Sequence, residues 1–253
     1  MEIFKKVFFL SIIATAVLPA CNFSDKTSQN NLTDTATASD GNTADWISLF
    51  DGKTFNGWHT FGQDSVGNAW KVEDGVIHLS SLERKGWQTV GGGDLASDEE
   101  YSNFDFRLEY KISKAGNSGI FFYVHEDTTK FKNPNESGLE MQINDDANNK
   151  NGTIEKQRAG DLVGLLSSSS ANVLQPAGKW NRAEIRSDKG KLDFFINGKH
   201  TLSTMLWDDK WENLIDDSKF KSMRGYGTFK KGRIALQDHG ADVWFRNIMI
   251  RKL

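Results

Sequence analysis

The chain has 253 residues, with 31 Lys and Arg against 34 Asp and Glu, for a formal net charge of -3. That balance excludes a nucleic-acid binder driven by bulk positive charge, and eight Trp with seventeen Phe exclude wholesale disorder. A single Cys excludes an intramolecular disulfide framework and a Cys-based zinc site.

At the amino terminus, Lys5 and Lys6 precede an apolar run, Val7 to Val17, broken only by Ser11 and Thr15. The run is shorter than the ~20 residues that span a bilayer and reads as a signal-peptide core. It ends in Leu18-Pro19-Ala20-Cys21, which resembles a bacterial lipobox. The resemblance implies cleavage before Cys21 and lipidation of its thiol; the alternative is an unmodified thiol behind a plain signal peptide. Asn22 to Ala44 is mostly Ser, Thr, Asn and Asp, a composition that cannot offset its ordering entropy by burial. The expected organisation is a leader over 1–20, a flexible tether over 21–44 and a folded body over 45–253. The expected location is the bacterial cell envelope, anchored to the membrane by lipid.

The body reads as strands. Ala69–Glu73 and Val76–Leu79 flank Asp74-Gly75, a hairpin signal. In Asn103–Ile112, Phe104, Phe106, Leu108, Tyr110 and Ile112 alternate with charged residues, which predicts a strand with one wet face. Gly119–His125 is apolar on both parities, which predicts a central strand covered on both sides. Leu139–Asn144 alternates again. Arg182–Arg186 and Lys191–Ile196 follow, the latter running into the turn pair Asn197-Gly198. Trp207, Trp211, Leu214 and Ile215 recur at helical spacing, which predicts one short helix over Trp207–Ile215. Arg233–Asp238 and Val243–Arg251 close the chain. Many strands, Gly-rich turns and no strand-helix-strand rhythm predict an all-β, two-sheet antiparallel jelly-roll sandwich.

No P-loop, GxSxG or HExxH motif is present. Gly91-Gly92-Gly93 opens no helix and is expected to be a flexible loop rather than a phosphate cradle. His59, His78, His125, His200 and His239 show no tight metal spacing. Asp145 and Asp146 suit either a hard-metal site or a solvated acidic turn.

The informative feature is a polar stripe on strands otherwise built for burial. Glu140, Gln142 and Asn144 share one face of one strand, with successive members roughly 6.6 Å apart at about 3.3 Å per residue. Arg233, Gln237 and His239 share a parity near another strand's end, and Trp244 and Arg246 share one on the last strand. Converging on one concave face, these would supply a carboxylate, an imidazole, amides, a guanidinium and an aromatic plate, a set that suits a polyhydroxylated ligand. An ordinary exposed sheet face is the competing reading.

The body also carries an ordered set of motifs. Leu49-Phe50-Asp51-Gly52-Lys53 is followed by Gly57-Trp58 and by Trp70-Lys71-Val72-Glu73-Asp74-Gly75. Gly116-Asn117-Ser118-Gly119-Ile120, Gly138-Leu139-Glu140-Met141-Gln142-Ile143 and Arg158-Ala159-Gly160-Asp161-Leu162 come next, then Gly178-Lys179-Trp180-Asn181. Ile234-Ala235-Leu236-Gln237-Asp238-His239-Gly240 and Phe245-Arg246-Asn247-Ile248 end the series. Over Asp45 to Leu253 the chain resembles the 3-keto-disaccharide hydrolase domain family, once catalogued as a domain of unknown function. Leu139 and Val163 stand where that family often has aromatic residues, departures expected to alter the pocket wall.

The resemblance implies a concanavalin-like jelly roll acting on glycosides already oxidised to a ketone at C3. The ketone acidifies the C2 hydrogen, so a base can remove it, the C1 substituent can leave by elimination, and water can add to the enone. The net result is hydrolysis without the usual pair of glycosidase carboxylates. On this reading Glu140 or His239 takes the C2 proton and the other serves the leaving oxygen. Gln142, Asn117, Gln237 and Arg246 then orient hydroxyls or polarise the ketone. Asn117 also reads as a plain turn residue, Asp51 as a turn-former, and Arg246 as a brace for the last strand. No cofactor is required by the sequence, although a divalent metal is a candidate electrophile. The expected partner is an oxidised carbohydrate; the alternatives are a noncatalytic carbohydrate-binding lipoprotein and a structural surface lipoprotein.

Overall fold

In the computed structural model, which describes residues 45–253, the alternating segments become strands whose apolar parity turns inward. The leader, Cys21 and the tether lie outside the described residues. The strands are β1 (Ile47–Ser48), β2 (Trp58–Thr60), β3 (Trp70–Glu73), β4 (Val76–Leu79), β5 (Arg84–Lys85), β6 (Gln88–Thr89) and β7 (Leu95–Tyr101). They continue with β8 (Phe104–Ile112), β9 (Asn117–Val124), β10 (Leu139–Asn144), β11 (Asn181–Asp188), β12 (Lys191–Ile196) and β13 (Lys199–Met205). The helix α1 (Asp209–Asp216), β14 (Gly232–Leu236) and β15 (Val243–Lys252) complete the chain.

Two antiparallel sheets form the sandwich. The larger has the order β13-β12-β11-β8-β15-β4-β3, with β1 paired to β15, and the smaller has the order β10-β9-β14-β7-β2. Leu139, Met141, Ile143, Ile120, Phe122, Ile234 and Leu236 of the small sheet face Phe106, Leu108, Ile185, Phe194 and Phe245 of the large one in a single apolar cluster. The all-β jelly-roll reading stands. Asp74-Gly75 (φ 50° and 76°) and Asn197-Gly198 (φ 50° and 78°) both take the left-handed pair that hairpin turns need.

The strand read as covered on both sides, β9, is buried along its whole length. Its inward residues join the main core, while Phe121 and Val124 pack outward with Ala96, Ala235 and Phe61. Tyr123 has φ 58° and breaks the alternation. Its ring points inward beside Phe104 and its hydroxyl donates to Ser187 Oγ at 2.7 Å.

Three expectations need correction. The helix starts at Asp209, because Trp207 takes φ 63° and Asp208 caps the helix by accepting from Trp211 N at 2.8 Å. The strand read as Arg233–Asp238 stops at Leu236, where the Asp238 carboxylate takes over as a loop anchor. Gly91-Gly92-Gly93 is not a loose loop: it wraps that carboxylate, and a β-carbon on Gly92 would come within 2.1 Å of Asp238 Oδ2.

Candidate active site

The site lies on the outward face of the small sheet. Glu140 and Gln142 project there from β10, whose backbone is held from both sides. On one side it pairs with β9, Glu140 opposite Phe121 and Gln142 opposite Gly119. On the other, the Gly160–Val163 stretch runs along the free edge. Val163 N donates to Glu140 O at 3.0 Å, Gln142 N to Asp161 O at 3.0 Å, and Gly160 N to Gln142 O at 2.8 Å. This covers an otherwise open edge and fixes where both side chains emerge. Gly119 makes room for the Glu140 carboxyl: a β-carbon there would sit 2.2 Å from Glu140 Oε1.

His239 arrives from the other direction, just past β14. Asp238 sets its position. Its carboxylate accepts from Thr89 N, Thr89 Oγ1 at 2.9 Å, Gly93 N at 2.8 Å and Gly240 N at 2.9 Å. Its backbone N donates to Asp94 Oδ1 at 2.9 Å. The same anchor fixes the hairpin that carries Trp87, whose ring lies 5.7 Å from that of His239.

Glu140, Gln142, Asn117, Gln237 and His239 together line one cleft of about 430 Å³, with Trp87 and Lys219. Glu140, Gln142, Asn117 and Gln237 are buried, and His239 is half-buried. Asn117 Oδ1, Gln142 Oε1 and Gln237 Oε1 have no hydrogen-bond partner. Buried acceptors are normally paired, and leaving one unpaired costs about 1–3 kcal/mol. Three such oxygens lie in the wall of one cleft, where the amides keep unused acceptor capacity.

Burial moves the two ionisable groups of the cleft in opposite directions. Burial pushes the Glu140 carboxyl up to about 8, and the nearby Asp94 carboxyl adds to the shift; Lys219 and a hydrogen bond with Gln237 oppose it. Asp94 is itself pushed up by burial. Burial also lowers His239 below its usual value, helped by the cationic Arg84 and Lys150, while Asp238 opposes. Near neutral pH the cleft therefore holds a protonated carboxylic acid and a neutral imidazole. Opposite shifts on two groups in one cleft are typical of acid–base sites.

Other sequence candidates lie elsewhere. Arg246 is on β15 in the large sheet. Its Nε contacts Glu109 Oε2 at 2.7 Å and its guanidinium stands 4.0 Å from the Trp180 ring centroid, so it braces the last strand and does not reach the cleft. Trp244 stacks on His78 on the same outer side. Asn144 continues the stripe but donates to Asp146 Oδ1 at 2.7 Å, at the end of the sheet. Arg233 sits on the cleft's face at its far end, against Glu126 at 2.8 Å. Asp51 shapes its turn by accepting from Lys53 N and Thr54 N. Asp145 is buried rather than solvated: its Oδ2 accepts from Ala115 N and Asn148 Nδ2. Leu139 faces the core and cannot shape the pocket, whereas Val163 does line it.

Among the described residues no group of three or more His, Cys, Asp or Glu is placed to hold a metal ion. The cleft's own donors would be one carboxyl, Glu140, one imidazole, His239, and neutral amide oxygens. Sequence reasoning missed Lys219 and Trp87, which come from loops without periodicity, and the anchoring pair Asp94 and Asp238.

The family model of the 3-keto-alpha-glucoside-1,2-lyase-like domain matches residues 45–251. The chain belongs to this family. A 3-keto-disaccharide hydrolase of Bacteroides thetaiotaomicron is 35% identical over 228 residues, covering 82% of this chain and 78% of the relative. Two crystal structures from Parabacteroides distasonis, both assigned as glycosyl hydrolases, share the fold of this lyase-like domain. One has TM-score 0.72 at 30% identity, covering 82% of this chain and 94% of its own. The other has TM-score 0.65 at 27% identity, covering 83% of this chain and 100% of its own.

Proposed function

We propose that this protein cleaves glycosides carrying a ketone at C3, by elimination followed by hydration. It is a glycoside-cleaving enzyme: its family and its 35% identical relative, a 3-keto-disaccharide hydrolase, carry that activity. The observation that carries the finer reading is the pairing of a protonated Glu140 with a neutral His239 in one cleft, beside three unpartnered amide oxygens.

A base must be empty of its proton and an acid must hold one. His239 therefore takes the C2 proton, and the electron pair of that C–H bond becomes an enolate delocalised onto the C3 oxygen. The enolate collapses to a C1–C2 double bond and expels the C1 substituent, whose oxygen receives the Glu140 proton. Water then adds across the enone, hydroxyl to C1 and a proton to C2, giving the free 3-keto sugar. Asn117, Gln142 and Gln237 take sugar hydroxyls, and Lys219 offers a cation toward developing negative charge.

The test is incubation of the purified protein with a 3-keto-glucoside, following aglycone release and the transient ultraviolet band of the enone. The parent glucoside serves as control. Release from the keto compound alone is expected. No release from any 3-keto substrate would favour a noncatalytic binding module. A chelator arm tests whether turnover needs a divalent ion.

The envelope anchor is part of the same proposal. Leu18 to Cys21 supports lipidation of Cys21, and labelling with a radioactive fatty acid in wild type but not in Cys21→Ser is the expected result.

A further inference from the structure

The cleft has a second lobe, and its charge differs from that of the first. A hollow of about 510 Å³ shares Trp87, Asn117, Asn151, Gln157 and His239 with the Glu140 cleft and adds Arg84 and Lys150. No carboxylate lines it. Among the described residues neither Arg84 nor Lys150 has an acidic partner within 4.0 Å. In a chain of net charge -3, this pair of unpaired cations flanks the exposed ring of Trp87.

Both cations stand on built elements. Arg84 pairs across its hairpin with Thr89, the residue held by Asp238. Its Nε lies against Gly240: a β-carbon there would come within 2.8 Å of it, so glycine in the left-handed region (φ +67°) admits the guanidinium beside His239. Lys150 opens a short helical turn capped by Asn149, whose Nδ2 donates to Ala115 O at 2.8 Å. The backbone under each cation is therefore fixed, and both exposed side chains border the lobe.

We propose that this lobe binds the leaving group, and that it selects leaving groups carrying an anion, a carboxylate or a sulfate ester. The inference rests on the reaction proposed above, which places the sugar beside Glu140 and His239. A leaving group directed past His239 then meets Trp87, which takes an apolar face, and Arg84 and Lys150, which take the anion.

The test uses three 3-keto-glucosides with matched aromatic leaving groups bearing a carboxylate, a sulfate ester or a neutral carboxamide. At low salt, kcat/KM for the anionic substrates is expected to exceed that for the carboxamide roughly tenfold, mainly through KM. The ratio should shrink as salt screens the cations and approach one in the Arg84→Gln, Lys150→Gln double variant. The ratio is taken within each protein, so partial misfolding of a variant cancels. Preference for both anions supports a general anion subsite, and preference for one identifies its source. Equal turnover of all three, or a ratio unchanged in the double variant, overturns the proposal. Calorimetric titration with 4-hydroxybenzoate against 4-hydroxybenzamide reads the lobe without turnover. Thus failure of all three substrates, with benzoate still preferred, would sink the reaction but keep the subsite.

Discussion

The carboxyl of Glu140 occupies the space that a side chain on Gly119 would need, with 2.2 Å between Glu140 Oε1 and the position of a β-carbon there. Gly119 faces Gln142 across the ladder, so the glycine sits between two residues assigned to substrate. Gly119→Ala is expected to displace the Glu140 carboxyl and cut kcat/KM about a hundredfold, the scale of a 1 Å misplacement. The fold should persist, read by a melting curve alongside turnover. Wild-type turnover in Gly119→Ala would mean that the Glu140 position is not critical.

Burial of Glu140 couples activity to stability. The folded carboxyl keeps its proton to about 8, whereas the ordinary value is 4.5. Its favourable contribution is complete below the ordinary value and is lost as pH rises through the folded value. Glu140→Gln, neutral at every pH, should melt higher than wild type at pH 8 and show little gain at pH 5. A uniform Tm change across that range would contradict the raised carboxyl.

The roles of acid and base separate by leaving group. Without Glu140 the leaving oxygen must depart unprotonated, so Glu140→Gln should lose about 100-fold or more on alkyl leaving groups, within the range for general acids. It should lose far less on 4-nitrophenol, which needs no proton. His239→Ala should be inactive on both. The wild-type kcat/KM should fall below the ordinary His value of 6.5, as the imidazole gains its proton, and again near 8, as Glu140 loses its own. Equal loss on both substrates in Glu140→Gln would reverse the assignment.

Arg246 serves the large sheet alone. Arg246→Ala should leave kcat/KM at the wild-type level and lower stability by less than about 1 kcal/mol, typical of a partly exposed ion pair and cation–π contact. A large loss of turnover with unchanged Tm would return Arg246 to the site.

Asp238→Asn tests the anchor. The carboxylate takes donors from Thr89, Gly93 and Gly240, and an amide would aim its own N–H at some of them. A loss of about 3 kcal/mol is expected, as for a broken buried charged network, seen as a lower Tm. Turnover should fall further than stability explains, because His239 is the next residue.

Period-2 patterning made β8, β10 and β12 readable, and the turn pairs marked their hairpins. Leu95–Tyr101 was invisible because Asp98, Glu99 and Glu100 occur in succession, so no alternation survives. Lys199–Met205 is an edge strand with mostly polar residues and offers little hydrophobic signal. Parity told which residues of one strand share a face but not which sheet that strand joins. That is why the shared face of Glu140 and Gln142 is legible in the sequence and the sheet that carries Arg246 is not. His239 lies beyond its strand, so its convergence with Glu140 depends on the Asp238 anchor, a contact between segments 149 residues apart from Thr89.

That separation dictates when the enzyme comes alive. The loop bearing Trp87 is pinned by a residue that follows Thr89 by 149 positions. A polypeptide cut before Asp238 keeps Glu140 of β10 but has neither His239 nor the carboxylate that pins the Trp87 loop. The corner that holds Glu140 and His239 therefore forms only when these distant segments close on each other, a long loop closure of the kind that slows folding.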